Sequence, residues 1–103
     1  MSEEVAETQT RGASIAVTRE LSARTASSLC QSVERRLTAG LDVLTLDLGD
    51  VKSVDVVGLA ALLQCAERIA ATGTRCDMVP SSAVLAAALR AQVQLPADQF
   101  GAQ

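Results

Sequence analysis

The chain contains no histidine, no tryptophan and no tyrosine, and its 103 residues include a single phenylalanine, Phe100. Without histidine, it lacks the commonest metal ligand and the commonest general base of enzymes. With only this one aromatic ring, it also lacks a platform on which successive nucleotide bases could stack. The core is therefore expected to consist of Leu, Val, Ile and Ala side chains.

Strong charge and long apolar runs are also missing. The formal net charge is −3, and no Lys- or Arg-rich run supplies the basic surface that nucleic-acid binding requires. The longest apolar run, residues 56–63, is too short to cross a bilayer, so no membrane insertion is expected. The acidic start, residues 1–5, does not have the pattern of a signal peptide. These features predict a cytoplasmic protein.

The three cysteines, Cys30, Cys65 and Cys76, are widely spaced and form no Cys-x-x-Cys motif. In the absence of histidine this spacing argues against a zinc site. Each cysteine lies in an apolar helix-like or strand-like setting, where a reduced thiol behaves as a small hydrophobic side chain. We therefore expect three reduced core residues, no metal site and no cofactor.

The most informative stretch runs from Val43 to Gly73. The segment Val43–Leu48 is nearly continuous in apolar residues, which predicts a strand with both faces covered by helices. Residues 49–54 are expected to form a polar loop. Asp55 stands at the N-cap of a following helix that Gly73 ends. One face of this helix carries apolar side chains at helical spacing, namely Leu59, Leu62, Leu63, Ala66, Ile69 and Ala70.

The segments on either side complete an alternating pattern. Before residue 43, the sequence predicts frayed residues 1–4, then a hairpin of Val5–Thr8 and Ser14–Thr18 about a turn at Arg11-Gly12, then a helix from Thr25 to Ala39 that Gly40 ends. After residue 73, it predicts a strand Thr74–Val79, a helix capped by Ser81 or Ser82 with Leu85, Ala88 and Leu89 on one face, a stop at Pro96 and an anchor at Phe100. The order β-β-α-β-α-β-α indicates an α/β fold. We expect one domain over residues 1–103, with an about four-stranded, mixed but mostly parallel sheet packed with three to four helices.

Two short segments carry a family resemblance. Leu46-Asp-Leu-Gly-Asp-Val51 and Val54-Asp-Val-Val-Gly-Leu59 resemble the core motif of STAS domains, which include bacterial anti-sigma-factor antagonists and the cytoplasmic domains of sulfate transporters. The resemblance extends from about Ile15 to Phe100. It implies a non-catalytic module that binds other proteins. Asp47 belongs to the motif, and the resemblance implies that it shapes the junction after the strand.

The chain departs from that motif at one informative position. In phosphorylation-regulated members, the residue after the motif aspartate is a Ser or Thr, whereas this chain has Val56 followed by Val57. No phosphorylation is therefore expected at Val56. Ser53 is a weak alternative phosphosite and is better interpreted as an ordinary loop serine. Val56 either packs under the preceding loop or forms a dry patch for a partner, while Val57 is expected to be buried.

Catalysis is poorly supported by the remaining residues. Asp47, Asp50 and Asp55 follow one another near the carboxyl end of a strand, where α/β proteins place their sites, and carboxylates of this kind could ligate magnesium. The simpler interpretation is that Asp55 caps a helix and Asp50 is solvated in a loop. No nucleophile motif or glycine-rich phosphate loop is present. The sequence therefore predicts no enzyme and no metal site.

These observations predict a non-catalytic STAS interaction module in bacterial signalling, similar to an anti-sigma-factor antagonist. The partner would be an anti-sigma factor or kinase-type regulator; alternatives are the ATPase of a lipid-trafficking ABC transporter or a chemotaxis component. A small-ligand or nucleotide binder is an alternative of another class, disfavoured because the sequence has neither a phosphate loop nor an aromatic platform for stacking bases. The expected partner-binding residues are Lys52, Ser53, Asp55, Val56, Val57, Gly58, Gln64, Glu67 and Arg68.

Overall fold

The computed structural model describes residues 11–95 and shows an α/β fold in which three strands alternate with three helices. The strands are β1 (Gly12–Leu21), β2 (Val43–Val54) and β3 (Arg75–Val79). The helices are α1 (Ala23–Leu37), α2 (Val56–Ala71) and α3 (Ser82–Arg90). The strands form a parallel sheet in the order β1-β2-β3, so β2 is central. The expected α/β alternation is confirmed over the described part of the chain.

Chain direction places α1 and α2 on the same side of the sheet. Each connects a parallel strand to its immediate neighbour, and both crossovers advance across the sheet in the same direction. Because such connections are right-handed, both helices must lie on one face, where they also contact each other. Helix α3 packs mainly against β2.

The central strand shows that the helices cover one face of the sheet. Leu44, Leu46 and Leu48 are fully buried, whereas Asp47 is exposed on the opposite face. The pairing extends this difference across the sheet: Asp47 lies in register with Ala16 of β1 and Val79 of β3, both exposed. The expectation that both faces of β2 are covered by helices is therefore wrong for the described residues. Side-chain alternation, masked by Val43 and Thr45, is the stronger signal.

Residues 49–54, expected as a loop, belong to β2. The ladder with β1 continues to the pair Leu21–Val54, and Val51 is buried. Two register shifts, between Ala16 and Thr18 and between Arg19 and Glu20, accommodate an extra β2 residue each. Arg19 takes a positive φ of 71° at the second shift. Bulges of this kind let a strand with a broken apolar pattern stay paired.

Local capping explains where the helices begin and end. Ser22 caps α1: its hydroxyl accepts the Arg24 N–H at 3.2 Å, and the Thr25 hydroxyl accepts the Ser22 N–H at 3.0 Å. This capping box starts α1 two residues before the predicted Thr25. The predicted cap at Asp55 and the stop at Gly73, which has a φ of +83°, are both present in α2. For α3, the cap is Ser81.

Two other details of the structure differ from the sequence-based expectation, and several predicted features lie outside the described residues. Gly12 is the first residue of β1 and not part of a turn. Helix α3 buries Val84, Ala87 and Ala88, while Leu85 and Leu89 are exposed. The predicted strand Val5–Thr8, and with it the predicted hairpin and fourth strand, lies outside residues 11–95. The predictions for residues 1–4, Pro96 and Phe100 lie outside them as well.

The core is aliphatic, as the composition predicts. A single cluster joins the buried side chains of the three helices and three strands, with Leu21, Leu44, Leu46, Leu48, Leu62 and Ile69 as its largest fully buried members. Over residues 11–95, none of the helices has the length and apolar character needed to cross a membrane.

Candidate functional site

The candidate site is the junction of β2 and α2, residues 52–58, which lies beside the end of β1 and the start of α1. The Asp55 N–H donates to the Leu21 carbonyl at 3.0 Å and so attaches the junction to the last residue of β1. Ser53 and Val54 are paired with Glu20 and Leu21 in the sheet. Two strand ends and two helix starts therefore meet at one point on the surface.

The Asp55 carboxylate holds the two helix starts together. Its Oδ1 accepts the Gly58 N–H at 2.7 Å, which caps α2, and its Oδ2 accepts the Ala23 N–H at 3.2 Å, the first N–H of α1. Helix N-termini have unpaired N–H groups and a partial positive charge, and both favour a carboxylate. The cap on α2 was expected from the sequence. The bond to α1 was not, since it joins residues 32 apart in the chain.

Gly58 is buried because α2 begins in close contact with the end of β1. A Cβ added at this position would lie far inside van der Waals contact of the Leu21 carbonyl and the Ser22 backbone nitrogen. Both are backbone atoms, which cannot move aside as the end of a flexible side chain can. Gly58 was expected at the partner surface; its position instead gives it a structural role in bringing α2 against β1.

Both valines of the junction face solvent. Val56 is 81% exposed and Val57 is 53% exposed. The expectation that Val57 is buried is therefore wrong: Gly58 and Leu59 turn inward at this point, and Val57 lies beside them on the outer surface. Of the two interpretations of Val56, the one that packs it under the preceding loop does not fit its exposure. The junction carries two neighbouring exposed β-branched side chains.

Lys52 and Ser53 lie at the end of β2 and are exposed. Ser53 precedes the N-cap by two residues and is part of the β1–β2 ladder, so it is not the loop serine that was expected. Its hydroxyl is outside the first turn of α2, whose free N–H groups belong to residues after Asp55. The structure thus places Ser53 next to the valines without placing it at the start of the helix.

The remaining predicted residues lie further along the exposed side of α2. Gln64, Glu67 and Arg68 are all exposed, and they continue from the valines at the spacing of helical turns. Arg68 follows Val56 by twelve positions, which corresponds to about 18 Å along the helix axis at the usual rise per residue. The structure thus joins the junction and these three side chains into one stripe along α2.

Arg68 is bonded to the neighbouring helix. Its Nε and Nη2 donate to the two carboxylate oxygens of Glu34 in α1, at 2.6 and 3.0 Å. This bidentate pair lowers the pKa of Glu34 and raises that of Arg68. The sequence analysis did not identify Glu34, because helix periodicity alone does not tell which residue of α1 faces α2. The surface that includes Arg68 therefore spans both helices.

The acidic residues near β2 do not form a ligand cluster. Asp47 bonds its own strand, accepting the Gly49 N–H at 3.1 Å, and Asp55 is occupied by the two helix starts. Across residues 11–95 the structure contains no group of three His, Cys, Asp or Glu side chains suited to a metal ion. The magnesium interpretation of Asp47, Asp50 and Asp55 therefore has no geometric support in this part of the chain.

Comparisons with known proteins identify the family. Among curated proteins no significant match is found. A solved structure, described as the crystal structure of Mglu, is similar with a TM-score of 0.59 and 19% identity, over 65% of this chain and 17% of that one. That likeness shows a shared fold, and this chain spans only a small part of the longer protein. The family model of the STAS domain matches residues 5–92, nearly the whole chain. The chain belongs to the STAS domain family.

Proposed function

We propose that this chain is a non-catalytic STAS interaction module of bacterial signalling, which binds a cytoplasmic protein through the β2–α2 junction and the exposed stripe of α2. The residues in the contact are those expected from the sequence: Lys52, Ser53, Asp55, Val56, Val57, Gly58, Gln64, Glu67 and Arg68. Among these, Gly58 acts indirectly by fixing the backbone on which the valines stand.

The exposure of Val56 carries this proposal. First-turn positions of a helix favour acidic or small polar residues, and β-branched side chains gain nothing there from local structure. Val56 buries little of its side chain within the chain, so packing in the core does not account for it either. Val56 and Val57 follow Asp55, which is held by hydrogen bonds to two helix starts. This apolar pair is suited to a partner with a complementary apolar surface.

The same position determines how the contact is regulated. In the phosphorylated STAS regulators that this chain resembles, the accepting hydroxyl belongs to the residue after the motif aspartate, and here that residue is Val56. A phosphate at this position would add roughly two negative charges to the contact. A valine side chain cannot accept a phosphate. The proposed contact is therefore constitutive, or is regulated through the state of the partner.

The partner is proposed from the family alone. An anti-sigma factor or related kinase-type regulator comes first, and the ATPase of a lipid-trafficking ABC transporter or a chemotaxis component are the alternatives. All three are proteins that present a surface to a STAS domain, in keeping with an acidic chain whose sequence has no basic run for nucleic acid.

Substitution of Val56 by aspartate tests the proposal. A valine buried in an interface contributes roughly 1–2 kcal/mol, so removing it lowers affinity about 5- to 30-fold. Val56→Asp should lower affinity further, because a carboxylate would lose water without a waiting partner. Folding should change little, since negative charge is favourable at a helix start. Immobilised wild-type and variant proteins are compared for what they retain from a native extract, and the retained protein is then titrated against each.

Leu89 provides the matched control, because at 79% exposed it is as accessible as Val56 but lies in the last turn of α3. Leu89→Asp should leave partner retention unchanged. A thermal melt of each variant separates binding from folding. If Val56→Asp unfolds the domain, the valine contributes to the core after all. If it folds and still binds as wild type does, the partner contacts another surface.

A further inference from the structure

Two thiols from different helices meet between α1 and α2. The Sγ atoms of Cys30 and Cys65 are 3.6 Å apart, although the two residues are separated by 35 positions in the chain. All three cysteines are reduced, and Cys76 lies close enough to Cys65 to influence its pKa. A disulfide requires an S–S distance of about 2.05 Å, so the Cys30 and Cys65 sulfurs are about 1.5 Å short of a bond.

This pair is reachable from solvent. Cys30 is half-buried, whereas Cys65 is buried behind it. A small surface cavity of about 200 Å³ is lined by both cysteines together with Glu34, Gln64 and Arg68. The Glu34–Arg68 ion pair forms part of its wall and links the two helices at this level. Both thiols therefore line an opening large enough for a small oxidant.

We propose that Cys30 and Cys65 form a dithiol oxidation site that closes to a disulfide when a hydroperoxide enters this cavity. The Cys30 thiolate attacks the peroxide oxygen; the O–O bond breaks, giving a sulfenic acid and, from hydrogen peroxide, water. The Cys65 thiol then gives its proton to the sulfenic oxygen while its sulfur attacks the Cys30 sulfur; the S–O bond of Cys30 breaks and the oxygen leaves as a second water. Two thiols are oxidised by two electrons and one peroxide is reduced. The cavity shares Gln64 and Arg68 with the proposed partner contact, but the oxidation of the two thiols does not depend on partner binding.

The environment assigns the order of these steps. Burial is the main cause that raises the pKa of Cys65 to about 12, and the hydrogen bond with Cys30 adds to it. At neutral pH Cys65 is therefore almost entirely a thiol and reacts poorly with an oxidant from solution. Cys30, which is accessible, reacts first. Cys65 then acts as the resolving residue, since its contact with Cys30 gives it a high effective concentration.

Titration with hydrogen peroxide tests the site on the whole chain. We expect wild-type protein to lose two hydrogen atoms in mass, to fall from three titratable thiols to one in denaturant, and to yield a Cys30–Cys65 linked peptide. Closing a 35-residue loop should raise Tm by roughly 10–20 °C. Dithiothreitol should reverse all four changes. Cys76→Ala should still form the link, and Cys30→Ser should not.

Three results would overturn the assignment. The first is peroxide treatment that leaves all three thiols titratable. The second is over-oxidation of Cys30 to a sulfinic acid while Cys65 stays reduced, which would show that the helices hold the sulfurs apart. The third is loss of two thiols in Cys30→Ser with a Cys65–Cys76 peptide, which would place the oxidisable pair between α2 and β3. Monomer is separated from disulfide-linked dimer before peptide mapping, so that links between chains are not counted as links within one chain.

Discussion

Helices α2 and α3 begin with the same backbone arrangement but differ in the side chains of their first turns. Each follows a strand of the parallel sheet, and each has an N-cap whose side-chain oxygen accepts the N–H three residues later: Gly58 to Asp55 at 2.7 Å, and Val84 to Ser81 at 3.2 Å. That third residue is buried in both helices. The capping of the backbone is thus the same at the two helix starts, so any difference between their side chains has another cause.

The first difference lies at the buried position. In α3 it is occupied by Val84, which is fully buried in the core. In α2 it is occupied by Gly58, where the backbone of Leu21 and Ser22 leaves no room for a Cβ. Helix α3 starts by filling the core, whereas α2 starts by pressing its backbone against another backbone. Because the backbones approach so closely, α2 has no side chain at this position to pack in the core. Hydrogen bonds hold the junction instead.

The second difference lies at the exposed positions. In the first turn α3 has the exposed Ser82 and the half-buried Ala83, a small and polar pair that local helix energetics favour, whereas α2 has Val56 and Val57, both exposed. Since α3 shows that a small or polar pair is compatible with this kind of start, the fold does not require the valines. Their presence is the feature that the proposed partner contact explains.

The largest effect is expected from adding a methyl group at Gly58. Gly58→Ala should destabilise the domain by about 3 kcal/mol, because the new Cβ meets backbone atoms and α2 must shift as a whole. The free energy of unfolding is measured by urea denaturation. Gly12→Ala is the control, since a Cβ there makes only an ordinary contact, at 3.6 Å from the Val43 carbonyl oxygen. Equal stability of the two variants would show that α2 can move away from β1 freely.

A smaller effect is expected from removing the caps. Ser81→Ala removes one bond at the start of α3 and should cost about 1 kcal/mol, while Asp55→Ala removes bonds to two helices and should cost about 2 kcal/mol. Asp55→Asn retains one accepting oxygen and should fall between them. The same denaturation experiment measures all three. An Asp55→Ala loss no larger than that of Ser81→Ala would mean that the bond to Ala23 contributes nothing.

The smallest effect concerns the second link between α2 and α1. The Arg68 hydrogen bond lowers the pKa of Glu34, so the pair stabilises the fold above the unfolded-state pKa of about 4.5 and this contribution is lost as pH falls through the lower folded value. Because both side chains are exposed, we expect only a slight fall in Tm at low pH, weaker still in high salt. Asp77, paired with Arg75, titrates in the same direction, so the Glu34→Gln variant isolates the Glu34 part. A Tm difference between variant and wild type that is unchanged from pH 7 to pH 3 would contradict the assignment.

Local signals in the sequence predicted much of this fold. The caps at Asp55 and Ser81 and the stop at Gly73 were predictable because each depends on residues within one helical turn. The alternation of strands and helices followed from apolar periodicity. The motif around Asp55 led to the family, which the match over residues 5–92 shows.

The features that escaped prediction depend on distant partners. Residues 49–54 looked like a loop because their polar side chains hide the fact that β1 pairs with them through two bulges. The need for glycine at position 58 depends on the distant Leu21. The burial of α3 depends on how it lies on β2, so Ala88 is buried whereas Leu85 and Leu89, predicted to share its face, are exposed. Val57 was misplaced because its exposure depends on how α2 is rotated against β1.

The bond from Asp55 to Ala23 also orders events during folding. The first N–H of α1 donates to a side chain 32 residues later, so this bond forms only after β2 has been made and paired with β1. Helix α1 can form turns early through its own capping box, but its first N–H has to wait for a contact of high sequence separation, which is slow to close. In a pulse-labelled refolding experiment the Ala23 amide should thus acquire protection together with the Gly58 amide, and later than the middle of its own helix.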